Sequence, residues 1–275
     1  MCLAKGIFSV FMMFFCCFSL VRTSNAYVFA TSDMKLYNLS FSTTDGNARL
    51  VWNDRWYGQV TAYAQDTATG SNGDSNYLLD NDGKIRAQAD SFFVHSWAEY
   101  QVANGANVAI GPGASIVAMT HSSLEISELG AQGDGGALSF FDNFFSIVKN
   151  DPDVPGTTVQ GIFLLDYLGH LGANADSLGY FSTALAGKLE VWEVGDRELL
   201  GSDLINEIHS GRGEFSGTYT GTLQLDAAFK YYSSYYLSAE ADSEVYGANA
   251  VPEPGTVALV AVGCGFLFWK GRRKS

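Results

Sequence analysis

From Glu214 to Leu225 the chain alternates without a break. Phe215, Tyr219, Leu223 and Leu225 fall on one face, and Glu214, Ser216, Thr218, Thr220, Thr222 and Gln224 on the other. A period of two marks a half-buried antiparallel strand, because successive side chains on a pleated backbone point to opposite sides. Tyr235 to Tyr246 repeats it. Leu237, Ala239, Ala241 and Val245 point one way, and Ser238, Glu240, Asp242 and Glu244 the other. Two such strands cannot bury their apolar faces alone, so the rest of the chain must supply partners.

The same rhythm predicts strands at Met34–Ser42, Arg49–Trp52, Gly58–Gln65, Ile85–Gln101, Asn107–Ile110, Ser115–Ile126, Ala137–Val148, Thr158–Leu168 and Lys188–Val194. Turn signals separate them: Asp45-Gly46-Asn47, Ser71-Asn72-Gly73-Asp74, Asn81-Asp82-Gly83, Gly111-Pro112-Gly113, Gly133-Asp134-Gly135-Gly136, Asp151–Gly156 and Gly211–Gly213. About ten strands with short turns and no βαβ rhythm predict an all-β fold, an antiparallel β-sandwich or jelly roll. Two segments stay open. Ala137–Val148 is aromatic on both faces and reads as a doubly buried strand or a helix. Asp203–His209, behind Ser202 as an N-cap, has Leu204 and Ile208 at helical spacing.

Charge and cysteine are unevenly spread. Residues 27–250 hold ten Lys and Arg against 28 Asp and Glu, a net of −18. Such a surface repels phosphate backbones, so the sequence predicts no nucleic-acid partner. Cys2, Cys16, Cys17 and Cys264 all lie outside this stretch. The middle therefore has no Cys nucleophile, no Cys zinc site and no disulfide framework.

The ends read as addresses. Lys5, the apolar run Ile7–Val21 and the small-x-small site Ser24-Asn25-Ala26 form a signal peptide over residues 1–26, with cleavage between Ala26 and Tyr27. Its expected partners are the Sec machinery and signal peptidase. At the other end, Pro252-Glu253-Pro254 precedes a 15-residue apolar stretch, Gly255–Trp269, and the bases Lys270, Arg272, Arg273 and Lys274. As a helix that stretch is roughly 22 Å long, short against a hydrocarbon core of about 30 Å, which suits a temporary membrane anchor. The bases hold the tail on the cytoplasmic side and leave the acidic domain outside.

In order, these three parts resemble the PEP-CTERM sorting segment of Gram-negative bacteria. The resemblance covers about 24 residues. It implies an exosortase that cuts near Pro252-Glu253-Pro254, discards the helix and passes the domain to the cell surface or an extracellular, biofilm-type matrix. The alternative is a plain single-span anchor that is never cut. Such segments also carry an ice-binding C-terminal label, but the chain has no regular Thr-x-Thr array. The layout ahead of the segment is similar to the β-sandwich ectodomains that often precede PEP-CTERM tails.

Catalytic motifs are missing from the sequence. Neither Gly-x-Ser-x-Gly nor a phosphate-binding glycine loop occurs. His95, His121, His170 and His209 are too far apart for a paired metal site, although His121 with Glu125 and Asp166 with His170 share strand faces. Glu190 and Glu193 fall on opposite faces, whereas Glu240, Asp242 and Glu244 share one, which reads as a solvated acidic row. Asp80, Asp82, Asp151 and Asp153 sit in oxygen-rich loops and are weak calcium candidates, equally well explained as Asx turns. No other cofactor is expected. Tyr231, Tyr232, Tyr235 and Tyr236 form a candidate glycan-contact cluster.

The sequence therefore predicts an exported, surface-sorted, non-catalytic protein. Its domain comprises residues 27–250, ahead of a sorting segment at 251–275. A secreted carbohydrate-binding module that holds extracellular polysaccharide is the alternative. A secreted hydrolase without a visible motif ranks third.

Overall fold

The computed structural model describes residues 27–53 and 55–250. The expected signal helix and C-terminal transmembrane helix lie outside the described residues. So do Ala26, the Pro252-Glu253-Pro254 motif and the bases Lys270, Arg272, Arg273 and Lys274. Among the described residues no helix is long and apolar enough to cross a membrane.

Thirteen strands follow one another: β1 Val28–Thr43, β2 Ala48–Trp52, β3 Tyr57–Asp66, β4 Gly70–Leu79, β5 Gly83–Asp90, β6 Val94–Ala103, β7 Ser115–Ile126, β8 Gln132–Lys149, β9 Thr158–Ala175, β10 Gly179–Glu193, β11 Glu198–Gly211, β12 Gly213–Lys230 and β13 Ser234–Asn249. One sheet has the order β12-β9-β1-β7-β6-β5, and the other β11-β10-β13-β8-β3-β4. β2 also pairs with β8, ahead of β3 on the same edge. Every ladder is antiparallel, and the two sheets enclose one hydrophobic core, as in a β-sandwich.

The alternation decides which residues fill that core. On β12, Leu223, Leu225, Ala227 and Phe229 are buried, and their neighbours Gln224, Asp226 and Ala228 are exposed. On β13, Tyr235, Leu237, Ala239, Ala241 and Val245 are buried, leaving Glu240, Asp242 and Glu244 on the outer face.

The core is not uniform along the strands. At one end Phe145 of β8 packs against Trp52 (5.6 Å between ring centroids), Phe163 (5.2 Å), Phe229 (5.7 Å) and Tyr235 (5.3 Å), which joins both sheets through rings. At the other end the filling is Val28, Val94 and Leu124, set against glycines of the facing sheet. A side chain at Gly133 would stand 2.7 Å from Leu124 Cδ1, and one at Gly135 would strike Val94. Gly133-Asp134-Gly135-Gly136, which composition marks as a turn, is therefore strand. Its glycines are there because the opposite sheet comes close.

Other expectations also change. Gly70–Leu79 is a strand, although its Gly, Asn, Asp and Ser residues read as a turn. Ile85–Gln101 is two strands, split at Ser91–Phe93, where the Phe93 N–H donates to Asp66 Oδ2 (2.9 Å). Asn107–Ile110 is not a strand. A 3-10 turn at Gly105–Asn107 leads into it, and only Ala109 makes a bridge, to Ser40. Asp203–His209 is strand rather than helix, with Leu204 and Ile208 exposed on the outer face. Ala137–Val148 resolves as strand.

Both seams between the sheets are closed by side chains. Asn72 and Asn76 of β4 donate to the carbonyls of Asp90 (3.2 Å) and Arg86 (2.7 Å), and Asp74 Oδ2 accepts from the Gln88 N–H (3.2 Å). The three alternate residues 72, 74 and 76 of β4 thus each bond a backbone group on β5, where no main-chain ladder runs. On the opposite seam Asp203 Oδ2 of β11 accepts from the Gln224 N–H of β12 (2.8 Å). These contacts occupy edge groups that would otherwise template aggregation.

Both described termini lie at the same pole. The Tyr27 N–H donates to Asp176 Oδ2 (3.0 Å), and the Ala250 N–H to the Leu178 carbonyl (3.1 Å). The aromatic end is the opposite pole, about 50 Å away at 3.3 Å per residue along β1. Replacing Phe145 by Ala removes the ring that links both sheets. The substitution is expected to lower stability by about 3–5 kcal/mol in chemical denaturation.

Candidate functional site

The loops of the aromatic pole build a cleft of about 760 Å³. Its walls are the end of β1 (Phe41–Thr43), all of β2, Asn53, Arg55, Asn81, Ala106 and Ile110. Two indoles set this geometry. Trp52 Nε1–H donates to the Val108 carbonyl (2.8 Å), and Trp56 Nε1–H to the Gly105 carbonyl (2.8 Å). The two rings meet at 4.5 Å as a tilted pair, and their two bonds pin the 3-10 turn over the sheet. Gly105 is required for this approach, because a Cβ there would meet Trp56 at 2.7 Å and the Asn81 backbone at 2.9 Å.

The cleft holds two of the ten Lys and Arg residues of the domain, Arg49 and Arg55, both exposed. Among the described residues no Asp or Glu lines it, and Arg49 has no ion-pair partner. Sequence reasoning passed over both arginines. Their only signal was a pair of bases six residues apart in an acidic chain, flanking Trp52.

The tyrosine cluster does not form one platform. Tyr231 is half-buried at the aromatic pole and donates to Asp45 Oδ2 (3.0 Å), with Lys149 Nζ 5.0 Å from its ring centre. Tyr232 is 62% exposed at the same pole. Tyr235 is in the core, its hydroxyl accepting from the Lys230 N–H (2.6 Å). Tyr236 lies on the outer face of the second sheet, donating to Asp142 Oδ2 (2.8 Å) beside Phe144.

The oxygen-rich loops also reach the aromatic pole. Asp80 Oδ1 accepts from the Asn81 N–H (2.7 Å), Asp82 Oδ1 from the Asn104 N–H (2.7 Å) and Asp151 Oδ1 from the Asp153 N–H (3.0 Å). Asp80 and Asp151 thus hold their own loops, while Asp82 ties its loop to the segment that follows β6. Among the described residues no group of three or more His, Cys, Asp or Glu is arranged to hold a metal ion.

Each histidine has a local partner. His121 Nδ1 lies 2.7 Å from Asp33, not on Glu125, and stacks on Trp97. His170 meets Thr218 rather than Asp166, which takes bonds from Asn38 and Thr222. His95 sits 2.9 Å from Asp90, and His209 stacks on Phe215 at 3.6 Å.

The acidic row is more than a solvated face. Asp242 lies between Leu138 of β8 and Ala186 of β10, with Glu240 and Glu244 on the same side. Burial, and then the charges of Glu244 and Glu240, push its carboxyl up to about 6. Burial also raises Asp142 and Asp134 on the neighbouring strand.

A family model described as PEP-CTERM protein-sorting motif matches residues 250–274. The chain carries a PEP-CTERM sorting motif. It begins at Ala250, the residue that makes the last described backbone bond of the sandwich. The PEP-CTERM motif marks an exported protein with exosortase as its processing partner. Its precursor is membrane-anchored and later reaches the cell surface. No curated protein matches the chain. Among solved structures, a vicilin from Corylus avellana (hazelnut) aligns at 6% identity over 82% of this chain and 72% of that one, with a TM-score of 0.11. A vicilin from Capsicum annuum aligns at 10% identity over 84% and 78%, also at 0.11. A Momordica charantia 7S globulin gives 8%, 84%, 76% and 0.09. Scores this low carry no argument about this chain.

The raised carboxyl of Asp242 has a defined pH signature. Its folded-state value exceeds its ordinary 3.8, so its ionised form is disfavoured by folding. Below about pH 3 it is protonated in both states and has no effect. As pH rises from about 4 to 6 the fold loses stability, and above 6 the full penalty is present. Asp242→Asn is expected to raise stability at pH 8 by on the order of 2 kcal/mol, with no gain at pH 3, in urea unfolding at the two pH values.

Proposed function

We propose that this chain is a non-catalytic surface protein of the extracellular matrix, held at one pole and presenting the other. The observation that carries this reading is the placement of Tyr27 and Ala250 on the same turn, Asp176–Leu178. Export and sorting act on the two ends of the chain, and both leave the sandwich at this pole. The aromatic pole, with its cleft, then faces away from the point of attachment. The described lining of the cleft contains no His, Cys or carboxylate, the usual groups of general acid–base chemistry. The net charge of −18 keeps the domain soluble and lets calcium bridge it to anionic polymer, without a resident metal.

A second reading, a carbohydrate-binding module, is favoured by the same pole. Its cleft combines Trp52 and Phe41 with the polar groups of Ser42, Thr43 and Asn53, and this mix suits sugar rings and their hydroxyls. The two readings share one address and differ in whether the domain grips its surroundings.

Mass spectrometry of the mature protein from exporting cells tests the address. The expected product begins at Tyr27 and ends near Pro252-Glu253-Pro254. A product that keeps Lys270–Ser275 would contradict processing at the motif.

A further inference from the structure

The chain leaves the sandwich at a place fixed by hydrogen bonds. The Asn249 side chain donates to the carbonyls of Ile126 (3.3 Å) and Glu128 (3.2 Å), and the Gly130 N–H donates to the Asn249 carbonyl (2.9 Å). The β7–β8 loop is therefore tied to the last residue of β13, and Leu129 of that loop is 48% exposed. The β5–β6 turn lies at the same pole, because the Glu125 N–H near the end of β7 donates to the Phe93 carbonyl (2.9 Å). In this turn Phe92 is 64% exposed and meets the buried Phe93 ring edge-on at 4.8 Å.

Exposed apolar side chains stand at the aromatic pole as well, so exposure alone selects neither end. The tether does. Four residues, 251–254, separate Ala250 from the apolar stretch 255–269 of the sorting motif. Fully extended, four residues span at most about 14 Å. While the apolar stretch anchors the precursor, this pole therefore stays close to the membrane, whatever path those four residues take. The aromatic pole is held roughly 50 Å further along the strands.

We propose that the pole of the described termini rests on the membrane that anchors the precursor, with Phe92 and Leu129 seated among zwitterionic lipid headgroups. Phe and Leu side chains gain free energy by leaving water for the boundary between headgroups and acyl chains. Two such side chains hold a bilayer weakly by themselves, but a short tether makes the contact intramolecular and raises its effective concentration. Charge selects the lipid. Exposed Glu125, Glu128 and Glu214 outnumber Arg212 at this pole, so an anionic surface is repelled and a net-neutral one is not. Cutting the tether removes the advantage, and the domain then leaves the membrane without unfolding. The inference rests on the membrane-anchored precursor, and on neither the matrix role nor any ligand of the cleft.

Spin labels on the anchored chain, Tyr27 to Ser275, in vesicles of phosphatidylcholine and phosphatidylethanolamine test the proposal. In a Cys264→Ser background, single labels are placed by Phe92→Cys, Leu129→Cys and, for comparison at the aromatic pole, Val154→Cys. Labels at 92 and 129 are expected to be open to oxygen, which dissolves in lipid, and shielded from a water-soluble nickel chelate. The label at 154 is expected to read as water. A label at the exposed Ser127 reports on the double variant Phe92→Asp with Leu129→Asp, in which its nickel accessibility should rise several-fold. Both substituted residues are exposed, and thermal unfolding checks that the double variant keeps its fold. Labels at 92 and 129 as open to nickel as 154 would overturn the proposal, as would an unchanged label at 127. Shielding from nickel and oxygen alike would overturn it in favour of a protein partner, such as a second copy. A chain that fails to float with the vesicles would overturn it by removing the anchor. None of these alters the mass of the mature protein, so failure here is distinguishable from failure of the surface-protein reading.

Discussion

The rings that meet at Phe145 hold the two sheets at a fixed spacing, and the form of the rest of the molecule follows from that spacing. Phe145 and Tyr235 come from one sheet and Phe163 and Phe229 from the other, so neither sheet can slide without opening the cluster. Aromatic side chains bury the largest areas, which makes this end the thick part of the core. Toward the pole of the described termini, glycines at 133 and 135 leave room for Val94 and Leu124 of the facing sheet. Large rings therefore crowd one end of the core, and glycines set against aliphatic side chains mark the other.

This polarity links fold to function. Trp52 belongs both to the Phe145 cluster and to the wall of the cleft, so core packing fixes the position of that wall. The opposite pole carries Tyr27 and Ala250 on one turn. Between the poles the seams are closed by Asn72, Asp74, Asn76 and Asp203 acting on backbone groups of the neighbouring sheet. A protein concentrated at a surface gains from blunted edges, because exposed ladders invite pairing with other copies.

Much of this was legible in the residues. The strict alternation of β12 and β13 named their buried faces, and the Pro252-Glu253-Pro254 pattern named the sorting segment. What stayed hidden has a physical cause in each case. β4 looks like a turn because its Asn and Asp side chains do backbone work across a seam, and composition does not show where they reach. Asp203–His209 fits a helix locally, but pairing with β10 overrides propensity. The tyrosines at 231–236 are neighbours in sequence only, because the turn ahead of β13 sends them to the pole, the core and the outer face. Arg49 and Arg55 gain meaning only when folding places them in one cleft.

Spin labels test the two-pole arrangement most directly, since residues 27–250 contain no cysteine and introduced ones are unique there. One pair, at Tyr27 and Ala250, reports the pole of the described termini. A second, at Ala250 and the exposed Val154 of the β8–β9 loop, spans the molecule. The account predicts a separation under about 20 Å for the first pair and on the order of 50 Å for the second. A long first distance, or a second no longer than the first, would contradict it.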